Sequence, residues 1–339
     1  MKEFGLTVEQ TIIMFSYQYH LVLADIEYEP NYAIKIKSLK KEWLTKWKES
    51  TEIFLKGQVN EDDTGNSYFH LITDFELLKK LVTPIKNDKG NKLTLYLILL
   101  EVILFKPYYL LGNTSDEQFK NLKITDEEKL TIKMKVFART LDIDSEIVTR
   151  FKSNYNEAVN GIKGGFNPWL VGVLGAIVLA VAAAFFTPAI AALLAPILAP
   201  GLSGAAAVSA VLAALGGGAI AAGGLGMAGG FAVIVAGGAI LGAGAGAGVG
   251  ALFAQSPDTA LTQAAKLEVV MKEIVHIQKD IRLAQEIIKE QRQAIRSLED
   301  ERDDLILNKE KENNKQKIEN LEKALEYLKN ALKRNQDLL

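Results

Sequence analysis

Residues 231–253 read FAVIVAGGAILGAGAGAGVGALF, and no charged side chain interrupts them. The charge-free run extends outward from this stretch to Gly164 on one side and Pro257 on the other, 94 residues in all. All 39 Lys and Arg and all 41 Asp and Glu lie outside it, and 22 of the 27 Gly fall between Gly161 and Gly250. A bilayer core takes about 20 residues of helix, so the run has the length for three or four passes. A soluble helix needs a polar outer face, and this tract offers none. Val, Ile, Leu and Phe are interleaved throughout, which separates it from a disordered low-complexity segment. The expectation is that residues from Phe166 to Ala254 enter a lipid bilayer, with a soluble form shielding them before insertion because Gly and Ala insert less favourably than Leu.

The clearest pass runs from Trp169 to Phe186, with Pro168 at its start, where a missing N–H costs nothing, and Trp169 at headgroup level. Ala189 to Ala199, bounded by Pro188, Pro196 and Pro200, reads as a kinked or re-entrant piece. Leu202 to about Ala222 is a second pass and Phe231 to Phe253 a third; Gly218 to Gly230 is a connection or part of a fourth. Gly238, Gly242, Gly246 and Gly250 are spaced by four, as are Gly218, Ala222, Gly226 and Gly230. Residues four apart share a helix face, and a face without side chains lets backbones approach where lipid supplies no hydrophobic drive. These rows are the candidate helix-packing sites and imply assembly with further copies of the chain.

Beyond the tract the composition changes. Ser256, Pro257 and Asp258 read as N-cap, first helical residue and dipole partner of a helix start. No Gly or Pro follows Pro257. A heptad seam runs Leu267, Val270, Ile274, Ile277, Ile281, Ala284, Ile288, Gln291, Ile295, Leu298, Arg302 and Leu305, and a second runs Ile318, Leu321, Leu325, Leu328 and Leu332. The register breaks between Asn308 and Asn314. A helical hairpin turning near Asn313 and a longer rod with a discontinuity both fit. Charges on the other faces read as a solvated surface.

Ahead of the tract, residues 1–163 read as helical. Thr125-Asp126-Glu127-Glu128 is a capping box opening a helix from Glu128 to Leu141, and Ser115-Asp116-Glu117-Gln118 resembles another. Leu93 to Phe105 is apolar but short and holds Glu101, so it is a buried helix. Residues 60–66 and 86–91 carry loop signals. Lys35, Lys37, Lys40, Lys41, Lys46 and Lys48 alternate with Ile36, Leu39, Trp43 and Trp47. This segment is either a membrane-surface helix with Trp anchors or an ordinary amphipathic helix with Trp in the core.

The chemistry-bearing residues form no constellation. His20, His70 and His276 lack partners at metal-ligand or triad-like spacing. Asp142, Asp144 and Glu146 imitate part of a calcium loop without its Gly or closing Glu, and read as a helix cap. Gly201-Leu202-Ser203-Gly204-Ala205 lacks the last Gly of a nucleophile elbow. No Walker loop, and no Cys for a disulfide or thiolate site, is present. The N-terminus lacks the pattern of a signal peptide. Residues 1–163 carry 23 basic and 24 acidic side chains, and residues 258–339 carry 16 and 17. Neither flank has the basic excess that nucleic acid requires. Neither an enzyme nor a cofactor is expected.

Phe137-Ala138-Arg139-Thr140-Leu141-Asp142, a short helix, then Gly164-Gly165 and the long Gly/Ala/Leu tract resemble the transmembrane and coiled-coil hydrolase-like family over residues 125–254. The resemblance implies a membrane-embedded tract. Members of that family follow the tract with an α/β-hydrolase domain; this chain follows it with a coiled coil, so hydrolase activity and its residues do not carry over.

The expected fold is all-α: a helical N-terminal domain (1–163), Gly/Ala-rich transmembrane helices (164–257) and a C-terminal coiled coil or helical hairpin (258–339). The expected function is a membrane-inserting, self-associating protein that permeabilises a bilayer, as a bacterial toxin or an anti-phage, self-killing effector does. The alternative is a constitutive membrane scaffold or tether, with the coil or N-terminal domain holding a protein partner. Basic residues at both ends of the tract (Lys152 and Lys163, Lys266 and Lys272) favour a cell-membrane location with both flanks cytoplasmic and an even number of passes.

Overall fold

The computed structural model describes residues 6, 8–56, 70–87, 92–108, 114–164, 253, 257–307 and 314–339. Every regular element among them is helical. The glycine rows (Gly218, Gly226, Gly230, Gly238, Gly242, Gly246, Gly250) and the expected passes lie outside the described residues, as do the loop at 60–66 and the turn at Asn313. Among the described residues no helix is long and apolar enough to cross a membrane. The chain divides into two compact units, whose described parts are Leu6–Lys152 and Ser153 onward.

The first unit is built around α1 (Val8–Tyr28). Apolar residues occupy all sides of this helix, so no face suits water. It is accordingly sheathed by α2 (Ile34–Lys56), α3 (Phe75–Asn87), α4 (Lys92–Ile103) and α5 (Glu127–Thr140). Its polar side chains find partners instead of solvent. Ser16 Oγ donates to Ile12 O (2.6 Å) and accepts from Ile72 N (2.9 Å); Gln18 donates to Glu101 O; Tyr17 Oη meets Thr140 Oγ1 at 2.8 Å. As the apolar run at 93–105 predicts, α4 is buried from Leu95 through Ile103, Glu101 included.

Trp43 and Trp47 settle the two readings of the lysine-rich segment. Both are buried in the core, stacked on one another with centroids 6.0 Å apart, and Phe105 lies 5.5 Å from Trp47. They are core residues, and the reading of them as membrane anchors is withdrawn. The cap of α5 also differs by one residue from expectation. Asp126, not Thr125, accepts from Glu128 N and Lys129 N, because the Thr125 hydroxyl is taken up by buried charges described below. The segment at Ser115 is a short 3-10 turn, Thr114–Phe119. Asp144 Oδ1 accepts from Glu146 N at the start of α6 (Ile147–Ile162), a capping contact of the kind expected there.

The second unit contains the rest of α6, α7 (Pro257–Lys272), α8 (Ile281–Leu307) and α9 (Asn314–Gln336). α8 and α9 pack together, and Lys329–Glu299 (2.6 Å) and Asn335–Gln291 (3.1 Å) give an antiparallel register. Within the chain α8 and α9 thus lie antiparallel, and seam residues are buried there. α7 packs against α9 in parallel: Arg334 pairs with Glu268, and Asp258, earlier on α7, acts on Tyr327, earlier on α9.

Between α7 and α8 the uninterrupted heptad pattern is misleading. A π-turn, Glu273–Gln278, follows α7, and Lys279 stands at φ 57°. The Lys279 and Asp280 N–H groups both reach back to Ile274 O. Asp280 then caps α8 by accepting from Leu283 N. The seam residues divide accordingly. Leu267, Ile274, Ile288, Ile295 and Leu298 are buried and Leu305 half-buried, while Ile277 (50%) and Ile281 (42%), on either side of the break, are exposed.

Candidate functional site

Two assemblies of charge stand out in the described residues, one in each unit. In the first unit, Lys40 is fully buried and directs its ammonium at Asp25 Oδ2, Glu29 Oε1 and Thr125 Oγ1, each at 2.6 Å. Thr125 N donates to Asp25 Oδ1 (2.7 Å), the Thr125 hydroxyl donates to Glu29 (2.6 Å), and Tyr108 Oη donates to Asp25 Oδ2 (2.5 Å). Three ammonium protons thus meet three acceptors. The excess carboxylate charge is met by one hydroxyl, one phenol and one backbone N–H. Burial opposes ionisation of Glu29, but the hydrogen bonds from Lys40 and Thr125 outweigh it and hold its carboxyl below the usual range. Burial, and then the Asp25 carboxylate, push the Tyr108 phenol upward, so it stays a donor. Tyr108 adopts φ 71°, uncommon for a bulky residue. Its ring lies 5.2 Å from Trp43, with the Lys40 ammonium 4.8 Å from its centroid. The cluster ties α1, α2 and the start of α5 together. Its groups are satisfied by one another, so it is a lock on the fold.

In the second unit, the charges lie where the charge-free tract leaves the fold and returns to it. α6 ends at Ile162, and Gly164 follows in the turn with a φ of +76° that suits a residue without Cβ. On the other side of the tract, α7 begins at Pro257. The two ends lie within electrostatic reach of one another: Asp258 acts on Lys163, and Lys323 of α9 acts on Lys163 as well. Asn330 Nδ2 of α9 donates to Ile162 O, 168 residues away (2.9 Å). Higher on α9, Arg334 grips the buried Glu268 carboxylate in the bidentate manner. Lys272 bridges Glu268 (3.4 Å) and Glu157 (3.0 Å), and Arg334 also faces Glu157 at 3.6 Å. Two cations and two carboxylates thus clamp α6 and α7 to α9.

Gly161 is part of this clamp. A Cβ there would collide with the Arg334 guanidinium, so the glycine lets the arginine lie across α6. Sequence reading takes Glu268 and Arg334 as solvated coil charges; Glu268 is in fact 1% exposed. The available sign was Gly161, an isolated helix-interior Gly ahead of the tract.

The histidines stay apart. His20 Nε2 meets Ile72 O at 3.0 Å beside Phe75, His70 lies on the surface near Glu52, and His276 is exposed in the π-turn. Among the described residues no group of His, Asp or Glu is arranged to hold a metal ion. The fold defines the class, an all-α protein whose apolar tract starts and ends within one helical unit. Comparison with protein families, with curated proteins and with solved structures finds no match for this chain.

Proposed function

We propose that this chain inserts its tract, residues 164–257, into a cell membrane as glycine-faced helices and permeabilises the bilayer as an assembly of several copies. The observation that carries the reading is that Lys163 and Asp258, at the two ends of the tract, lie within electrostatic reach of one another and of the middle of α9. A 94-residue segment without a charge leaves the fold at Lys163 and returns within electrostatic reach of it. Such a segment crosses a bilayer an even number of times, which keeps both flanks on one side, the cytoplasmic side by the positive-inside bias. The buried seam of α8 faces α9 of the same chain, so copies meet through the glycine rows. No catalytic step, cofactor or nucleic acid enters the proposal.

Inducible expression in a bacterium with a membrane-potential dye tests the reading: the full chain depolarises the cells, and a chain lacking 166–254 does not. Impermeant thiol labelling of Lys163→Cys and Asp258→Cys in intact cells tests the topology. Both positions stay unlabelled until the cells are opened; labelling of one and not the other excludes an even number of passes.

A scaffold or tether is the second reading. It is favoured by the few polar residues in the tract, Asn167, Thr187, Ser203 and Ser209 among them, which provide little lining for an aqueous channel. It predicts membrane association without depolarisation.

A further inference from the structure

The turn between α1 and α2 carries an apolar patch that the core does not use. Tyr32 is 88% exposed, Ile34 74% and Ile36 45%. They alternate with Lys35 and Lys37, and Lys41 follows one turn later. From Asn31 through Lys41 there is no acidic residue. The flanking carboxylates are engaged elsewhere, Glu29 with Lys40 and Glu42 with Lys46 and Gln118. Lys35 and Lys41 make no ion pair among the described residues.

Folding alone does not account for this arrangement. The first turn of α2 holds cations and no acid, although the helix dipole favours anions there. Exposed β-branched and aromatic side chains next to one another also leave apolar area in water. An anionic bilayer surface resolves both features. Its headgroups neutralise the lysines, and its interfacial layer takes up two Ile side chains and a Tyr, a residue enriched at that depth.

We propose that the α1–α2 turn is a second membrane contact, an interfacial anchor that docks Tyr32, Ile34 and Ile36 into an anionic lipid surface with Lys35, Lys37 and Lys41 at headgroup level. The anchor rests on the membrane reading above and lies outside the tract. It requires no Trp: the aromatic residue at the surface is Tyr32, while Trp43 and Trp47 hold the same helix in the core.

The chain has no cysteine, so single-cysteine labelling of the full chain is clean. An environment-sensitive fluorophore is placed at Asn31→Cys beside the patch, at Ile132→Cys, which is exposed on α5, or at Ala243→Cys in the tract. Each protein is mixed with phosphatidylcholine vesicles, with or without phosphatidylglycerol. Emission at 31 and 243 moves to the blue with anionic vesicles, and emission at 132 does not. In the 31-labelled chain, Lys35→Gln, Lys37→Gln and Lys41→Gln together abolish the shift. In the 243-labelled chain they leave it in place. A shift at 243 without one at 31 overturns the anchor and leaves the membrane reading standing. Equal shifts at 31 and 132, or a shift at 31 indifferent to phosphatidylglycerol and to the lysines, also overturn the anchor. No shift at 31 or 243 overturns both.

Discussion

Arg334 holds Glu268 with two parallel hydrogen bonds, Nε to Oε2 at 2.7 Å and Nη2 to Oε1 at 2.6 Å, and its guanidinium crosses α6 at Gly161. One contact thus joins the helix that precedes the charge-free tract, the helix that follows it and the C-terminal helix. The carboxylate is buried, so its partner matters more than a surface ion pair would.

Removing that partner has a definite expected result. Arg334→Ala leaves Glu268 with Lys272 alone and destabilises the second unit by about 3 kcal/mol. Arg334→Lys recovers little of this, because an ammonium lacks the guanidinium fork. Gly161→Ala is destabilising while Arg334 is present, since the new methyl displaces the guanidinium. In an Arg334→Ala background the same change stabilises by up to about 1 kcal/mol, the ordinary gain of Ala over Gly in a helix. Hydrogen exchange of the α7 and α9 amides measures all four chains. A Gly161→Ala effect of the same sign in both backgrounds would falsify the clamp.

The two halves of the interrupted heptad separate in a pair of charge substitutions. Ile288 is buried on α8, and Ile288→Asp costs about 3 kcal/mol or more through lost packing and a buried carboxylate. Ile281 is exposed at the first residue of α8. Ile281→Asp changes stability by about 0.5 kcal/mol or less, aided by the helix dipole. Thermal unfolding of detergent-solubilised protein, followed by circular dichroism, compares them; equal losses would mean that the heptad seam continues across Lys279.

Glu301 makes the second unit sensitive to pH. Burial, followed by the nearby Asp304 carboxylate, pushes its carboxyl up to about 7. The unfolded chain ionises this group at an ordinary carboxylate value, and the folded chain resists. The folded state is therefore disfavoured as pH rises from about 4.5 through about 7, and the lost stability returns on acidification. Glu301→Gln removes this component. Hydrogen exchange of α8 amides at about pH 5 and about pH 8, corrected for intrinsic rates, shows the difference narrowing in the variant. An identical pH dependence in both chains would exclude Glu301 as its source.

The glycine rows are tested by bulk. Gly242→Leu with Gly246→Leu keeps the tract apolar while separating any backbones that meet on that face. The lost dispersion contacts weaken assembly, because lipid offers no compensating drive. Ala243→Leu with Ala247→Leu adds similar bulk on an adjoining face. Dye-reported depolarisation disappears in the Gly pair and largely persists in the Ala pair. Equal loss in both removes the argument for a specific glycine face.

The sequence by itself determined the all-α class, the helices near 93–105 and 128–141, and where the charge-free tract begins and ends. Helical hydrogen bonds close within four residues, and a cap such as Asp144 acts within one turn, so these features are written locally. α4 was legible for the same reason, as an apolar run too short to span a membrane. Burial and partner choice are not local. The heptad spacing passes through Lys279 without a sign of the turn, because periodicity records which residues share a face and not whether the chain continues straight. Trp43, Trp47 and Lys40 look alike on a helical wheel whether they face lipid, water or a core. Asp25 and Glu29 from the preceding helix and its end, with Tyr108 and Thr125 from far along the chain, decide that Lys40 is buried. Likewise only the tertiary structure brings Glu157, Glu268 and Arg334 into one clamp. Those contacts join positions on different helices, 66 residues apart for Glu268 and Arg334, and they depend on how whole helices satisfy one another's buried charges, which no short window of sequence contains.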